Sequence, residues 1–177
     1  MKRFATLLLF ALLGCATLSA QYSNITPAPL GMSYTFFNHI HIEKGEFDFT
    51  QELKLYFDIS KHSDISPEDR ERLIAAAEAV GLNFEVVKRE PKKGGIILSL
   101  CPTPYTHNNE GYAILTDKGN VYIWGHDAAG LFYALQTARQ LVESGEWKTG
   151  FIADYPRFGY RGVLIDISRH FRSVDFL

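Results

Sequence analysis

Leu53, Leu55 and Phe57 alternate with Lys54, Tyr56 and Asp58, the period of two expected of a strand with one buried face. The period then lengthens. Ser66 stands where an N-cap belongs, Pro67 takes the first helical position, and Glu68 and Asp69 fill the first turn, which together mark the start of a helix. Leu73, Ile74, Ala77 and Val80 recur at helical spacing until Gly81 stops the run, so this helix is predicted to bury one stripe. Residues 83–88 continue as a strand. After the Pro- and Gly-bearing turn at 91–95, the unbroken apolar run 96–100 reads as a fully buried strand.

Two more strands, 111–116 and 121–124, flank Asp117-Lys118-Gly119-Asn120, a hairpin turn whose Gly and Asn suit positive φ. Asp127 then caps a helix in which Leu131, Leu135, Ala138, Leu141 and Val142 keep helical spacing until Gly145. Upstream of all these, a loop over 22–31 precedes a β-branched and aromatic stretch, 34–42, predicted as one strand. The pattern predicts an α+β fold, a small mixed β-sheet with helices packed on one face. Residues 147–156 read as a linker. Beyond them 160–167 is a nearly continuous apolar run, the signature of a strand buried on both faces in a parallel sheet or barrel. Few residues follow, so this second unit is expected to be truncated.

The chain's start has a different character. Lys2 and Arg3 precede an apolar run, residues 4–14, and then small residues to Ala20, which reads as a signal peptide over residues 1–20, too short to span a membrane. Two cleavage readings compete: Leu12-Leu13-Gly14-Cys15 resembles a lipoprotein box, and Leu18-Ser19-Ala20 before Gln21 an ordinary signal-peptidase site. The first would make an outer-membrane lipoprotein carried on Cys15, the second a periplasmic protein. Without Cys15 only Cys101 remains, so no intrachain disulfide is expected. Hydrophobic residues at 46% and charged residues at 21% suit a folded domain. A net charge of −2 gives no electrostatic footprint for nucleic acid.

Two segments carry a family resemblance. Asn109-Glu110-Gly111-Tyr112 through Trp124, continuing into 128–137 (AAGLFYALQT), resembles the accessory domain of family 20 glycoside hydrolases, in which an EGY strand, a hairpin and an AGLFYGLQT helix follow one another. Ala134 stands where the family often has Gly. The second segment, 154–162 (DYPRFGYRG) followed by 164–171 (LIDISRHF), resembles the opening of the hexosaminidase barrel, D-x-PRF-x-x-RG-x-x-x-D-x-SRHF. After the signal peptide over 1–20, the resemblance implies an accessory α+β domain over 21–150 and the first strand of a (β/α)8 catalytic domain over 151–177. Related O-GlcNAcase-like glycosidases share the accessory domain, but the Ser168-Arg169-His170-Phe171 ending argues for hexosaminidase.

In that family the sugar's own N-acetyl oxygen attacks the anomeric carbon, and an adjacent Asp-Glu pair assists. A complete barrel takes roughly 250 residues, so the resemblance implies that the pair lies beyond this chain and that no catalytic residue is present in it. Arg161 matches the family arginine that grips hydroxyls of the terminal sugar with its forked guanidinium. Asp166, Arg169 and His170 are expected to form a supporting network around the end of the strand. The implied substrates are glycans ending in β-linked N-acetylglucosamine or N-acetylgalactosamine, and the accessory domain is expected to pack on the barrel of its own chain. No cofactor and no metal are implied. His39 and His41 lack a third ligand at suitable spacing, and Trp124 and Trp147 are expected to pack rather than to stack on sugars. No Gly-x-Ser-x-Gly elbow, P-loop or dinucleotide fingerprint is present. The competing readings are a non-catalytic secreted glycan-binding or accessory module, and another glycosidase with the same accessory domain. If 160–167 is an unpaired apolar strand, a chain ending near Gly150 should aggregate less than the full chain, as light scattering of the two would show.

Overall fold

The computed structural model describes residues 25–33, 36–37, 40–58, 65–101, 106, 108–164 and 173. The signal-peptide reading, Cys15, His39, Asp166, Arg169 and His170 fall outside them.

The elements run β1 (Gly31–Ser33), β2 (Phe36–Phe37), β3 (Ile40–His41), β4 (Leu53–Phe57), α1 (Pro67–Ala79), β5 (Phe84–Val87), β6 (Gly95–Leu100), β7 (Tyr112–Thr116), β8 (Asn120–Gly125), α2 (Ala128–Glu143) and β9 (Gly150–Asp154). Seven strands form one mixed sheet in the order β1-β9-β7-β8-β6-β4-β5. Its β5-β4-β6-β8 half is parallel, and β8-β7-β9-β1 is antiparallel. Parallel neighbours need a long crossover, and α1 provides one between β4 and β5. The α+β reading therefore holds.

Local chemistry explains most boundaries. Ser66 accepts the Asp69 N–H at 3.1 Å, and α1 ends at Gly81, whose φ of +85° suits glycine. Asp127 caps α2 by accepting the Gly130 N–H at 2.8 Å. Alternate strand positions face the helices, so Leu53, Leu55, Ile96, Leu98, Ile114, Ile123 and Ile152 share one core with Leu73, Leu131, Leu135 and Leu141. The other face carries a smaller cluster of Ile42, Ala113 and Phe151. Trp147 is a core residue, 1% exposed. Its Nε1 donates to Thr116 Oγ1 at 2.9 Å, and Phe47 meets its ring edge-on with centroids 5.6 Å apart, which satisfies its one polar atom within the core.

Four readings of the sequence need correction. The stretch 34–42 is not one strand: β2 and β3 within it pair antiparallel with each other, Phe36 opposite His41. The 117–120 turn does not use positive φ at Gly119 or Asn120. The Asp117 carboxylate instead accepts both N–H groups at 2.6 Å, an Asx turn that sets the reversal from the side chain. Residues 150–154 are no linker but β9, bonded along its length to β7 and joined by β1. The short run Phe151, Ile152 and Ala153, with its small and polar neighbours, hid a strand that is central to the antiparallel half. Finally, the described part of the 160–167 run, 160–164, has no strand structure. Tyr160, Val163 and Leu164 are 90%, 87% and 95% exposed, and among the described residues no strand pairs with this segment.

β9 reverses the truncation expectation. A chain ending at Asp154 should keep the cooperative thermal transition, whereas one ending near Gly150 loses the buried Phe151 and Ile152, on the order of 3 kcal/mol or more of burial, and uncovers β7. Circular dichroism melts and light scattering should show the shorter chain unfolding earlier and aggregating more; matching melts would refute this role for β9.

Tyr112 gives a second test. Its hydroxyl lies 2.6 Å from Thr137 Oγ1, and burial, the largest influence, pushes its pKa from 10.0 to about 12. The fold thus holds the neutral phenol, so its contribution is complete below pH 10 and is lost as pH rises through about 12. Tyr112→Phe should cost about 1 kcal/mol at neutral pH and lessen the alkaline loss of stability, measured by denaturant melts across that range.

Candidate functional site

The end of β9, the exposed side of α2 and the N-terminal stretch at 25–28 enclose a groove of about 440 Å³ with the segment 155–161. Its floor includes the buried Tyr112–Thr137 pair, and Tyr133 of α2, Asp154, Phe158 and Arg161 stand around it. The N-terminal stretch is tied down by a reciprocal pair: Thr26 N donates to Gln140 Oε1 at 2.6 Å, and Gln140 Nε2 donates to Thr26 O at 3.2 Å. The same stretch is also held by Arg157, whose Nη2 donates to Ala28 O at 3.2 Å.

Arg161 is the predicted site residue that the structure describes. Its Nη2 donates to Glu110 Oε2 in a charge-assisted bond and lies 3.3 Å from the Tyr133 hydroxyl, while Nη1 donates to Phe158 O at 2.9 Å. The guanidinium also sits over the Tyr133 ring, 5.7 Å from its centroid, within reach of a cation–π attraction. Glu110 is the main reason that Arg161 holds its proton more firmly than an ordinary arginine, and the Tyr133 hydroxyl adds to this. Asp154 behaves in the opposite sense. Burial raises its carboxyl pKa, against the lowering effect of the Tyr155 and Leu30 N–H groups and of Arg157.

The local fold fixes Glu110. It is the described non-glycine residue with positive φ, 66°, and its N–H donates to Asp127 Oδ2 at 2.9 Å. Gly111 and Gly130 let the loop and α2 touch at this point. A Cβ on Gly130 would lie 2.2 Å from Gly111 O, and one on Gly111 would lie 1.8 Å from Thr106 O, so no larger residue fits at either position. These two glycines and Glu110 are the residues around which the quoted EGY and AGLFY segments meet.

The remaining sequence candidates are placed as follows. His41 is exposed on β3, and among the described residues no three His, Cys, Asp or Glu side chains could hold a metal ion. Trp147 is buried in the core and Trp124 is half-buried. Glu110, Tyr133 and Asp154 lie in the quoted motifs, but the sequence pattern assigned none of them a role in the site. Glu110 lay in the recognised EGY segment, but nothing in a linear pattern pairs it with Arg161, 51 positions away.

The arrangement can present a forked cation, held from one side by a carboxylate and an aromatic ring, at the mouth of a mostly apolar groove. Comparison with known proteins gives it a context. The chain is 33% identical over 116 residues to a beta-hexosaminidase of Porphyromonas gingivalis, which covers 59% of this chain and 14% of that protein. It is 31% identical over 148 residues to an N,N'-diacetylchitobiase of Vibrio harveyi, 77% of this chain and 15% of the relative. Among solved structures, the Streptomyces plicatus N-acetyl-beta-hexosaminidase in complex with Thio-NAglucal superposes with a TM-score of 0.62 at 29% identity, over 88% of this chain and 31% of that one. The chain thus spans about a seventh of the length of these curated relatives. Residues 23–155, from before β1 to just past β9, match the family described as glycosyl hydrolase family 20, domain 2, and the chain accordingly belongs to glycosyl hydrolase family 20.

Proposed function

We propose that the chain is the front part of an exported exo-β-N-acetylhexosaminidase, comprising the accessory domain and the opening of a (β/α)8 barrel. The observation that carries this reading is the match over 23–155 followed without a gap by the barrel-opening segment at 154–171. Its substrates are then glycans or chitin fragments ending in β-linked N-acetylglucosamine or N-acetylgalactosamine, the class that the relatives' names indicate. The lead of two basic residues, an apolar run and small residues supports export, through signal peptidase or through Cys15.

The chemistry divides between this chain and what would follow it. The acetamido oxygen of the substrate forms a bond to the anomeric carbon as the glycosidic oxygen leaves, taking a proton from a Glu, and water later opens the oxazoline. An adjacent Asp stabilises the charge that develops on the acetamido group. No Asp is followed by Glu anywhere in the 177 residues, which supports placing that pair elsewhere. The contribution of this chain is Arg161, whose fixed fork of N–H donors suits vicinal sugar hydroxyls. Asp166, Arg169 and His170 belong to the same barrel opening and are assigned to its support. The accessory domain packs on the barrel, and the exposed Phe158, Tyr160, Val163 and Leu164 are the apolar surface that such a barrel would enclose.

In the full gene product, release of an aryl group from an aryl N-acetyl-β-glucosaminide is the direct assay. Arg161→Ala should raise KM by about 10- to 100-fold, the worth of one or two charge-assisted hydrogen bonds. Wild-type protein that binds N-acetylglucosamine oligomers without turning them over would instead point to a non-catalytic module.

A further inference from the structure

Glu110 holds an unusual backbone conformation. A left-handed φ is disfavoured for an L-residue, and such strain persists where surrounding bonds over-determine it. Here the bonds are specific. Asp127 takes the Glu110 N–H at 2.9 Å, Gly111 N donates to Asn108 O, and His126 N donates to Gly111 O, both at 2.8 Å. At Gly111 and Gly130 the backbones meet so closely that no side chain fits between them. Every one of these contacts is made inside the accessory domain. The backbone therefore sets the direction of the Glu110 side chain independently of Arg161.

Tyr133 completes the holder. It projects from α2, whose first turn is capped by Asp127, the same side chain that fixes Glu110. Its hydroxyl and ring both meet the Arg161 guanidinium. Two elements of the accessory domain converge in this way on a cation that belongs to the segment after β9. The bonds to Glu110, Tyr133 and Phe158 occupy three of the five N–H donors that an arginine carries, which leaves two for a ligand.

We propose that Glu110 is a positioning residue for Arg161, so that the accessory domain sets how tightly the site holds the terminal sugar. This rests on the reading of Arg161 as the sugar-gripping arginine. Glu110 acts through Arg161: its carboxylate fixes the tilt of the guanidinium and balances its charge. Pre-orientation of this kind lowers the cost of ordering the arginine on binding, and its loss appears in substrate affinity more than in turnover.

The test uses the full gene product with an aryl N-acetyl-β-glucosaminide as substrate. Glu110→Gly is the informative variant, because it relieves the positive φ while removing the carboxylate. Its melting temperature should equal or exceed that of the parent, while KM rises about tenfold and kcat changes less than threefold. A stabilised fold with weakened substrate binding is not what a purely structural glutamate would give. Tyr133→Phe, which removes only the hydroxyl, should raise KM two- to threefold and provides a second readout should Glu110→Gly fold poorly. Combined with Arg161→Ala, neither substitution should raise KM further. An unchanged KM in Glu110→Gly, or an equal rise with and without Arg161, overturns the positioning role. If Arg161→Ala itself leaves KM unaltered, the sugar-gripping assignment fails first and the inference falls with it.

Discussion

The Asp127 carboxylate joins two parts of the domain through its two oxygens. Oδ1 accepts the Gly130 N–H and starts α2, and Oδ2 accepts the Glu110 N–H and fixes the loop ahead of β7. A carboxylate at a helix N-terminus is favoured by the helix dipole as well as by the hydrogen bonds, so one side chain anchors both structures. Close contact between the loop and helix is possible because Gly111 and Gly130 have no side chains to keep them apart. Much of the groove follows from this join. It sets the pitch of α2, hence the place of Tyr133, and it aims Glu110 at Arg161.

The core beneath the join is conventional in its chemistry and asymmetric in its distribution. Both helices lie on one face of the sheet and share a large apolar cluster with β4, β6, β7, β8 and β9. The other face has a small cluster centred on Ala113 and Phe151. Two of the polar groups drawn into the interior are paired, Tyr112 with Thr137 and Trp147 with Thr116, which offsets their desolvation. Arg70 Nε and His126 Nδ1, by contrast, are buried without a hydrogen-bond partner among the described residues. The groove sits at the edge of the well-packed region, where the core gives way to the exposed 158–164 segment.

Elements with a strong local signal were legible in the sequence. Ser66-Pro67 and Asp127 announced the two helices because capping is a local matter, and the Leu53-Leu55-Phe57 alternation revealed β4 because one face is buried and the other is not. β9 escaped notice because its strand character lies in pairing with β7 and β1, which no window of sequence contains. The 160–164 run shows the reverse: its residues suit a buried strand, but strand structure needs a neighbour, and composition does not supply one. For the site, the family resemblance identified Arg161 and said nothing of Glu110 as its partner. Sequence separation hides that ion pair, and a positive φ at a glutamate has no signature in composition.

The strand order has a consequence for how the molecule is made. β1, near the start of the domain, hydrogen-bonds to β9, at its far end, and β9 also completes β7. The parallel half, with its α1 crossover, has all its strands once β8 is in place, whereas the antiparallel half is complete only when the last strand joins. During that interval β7 has an open edge and β1 has no partner in the sheet. The open edge closes when β9 is inserted between the two.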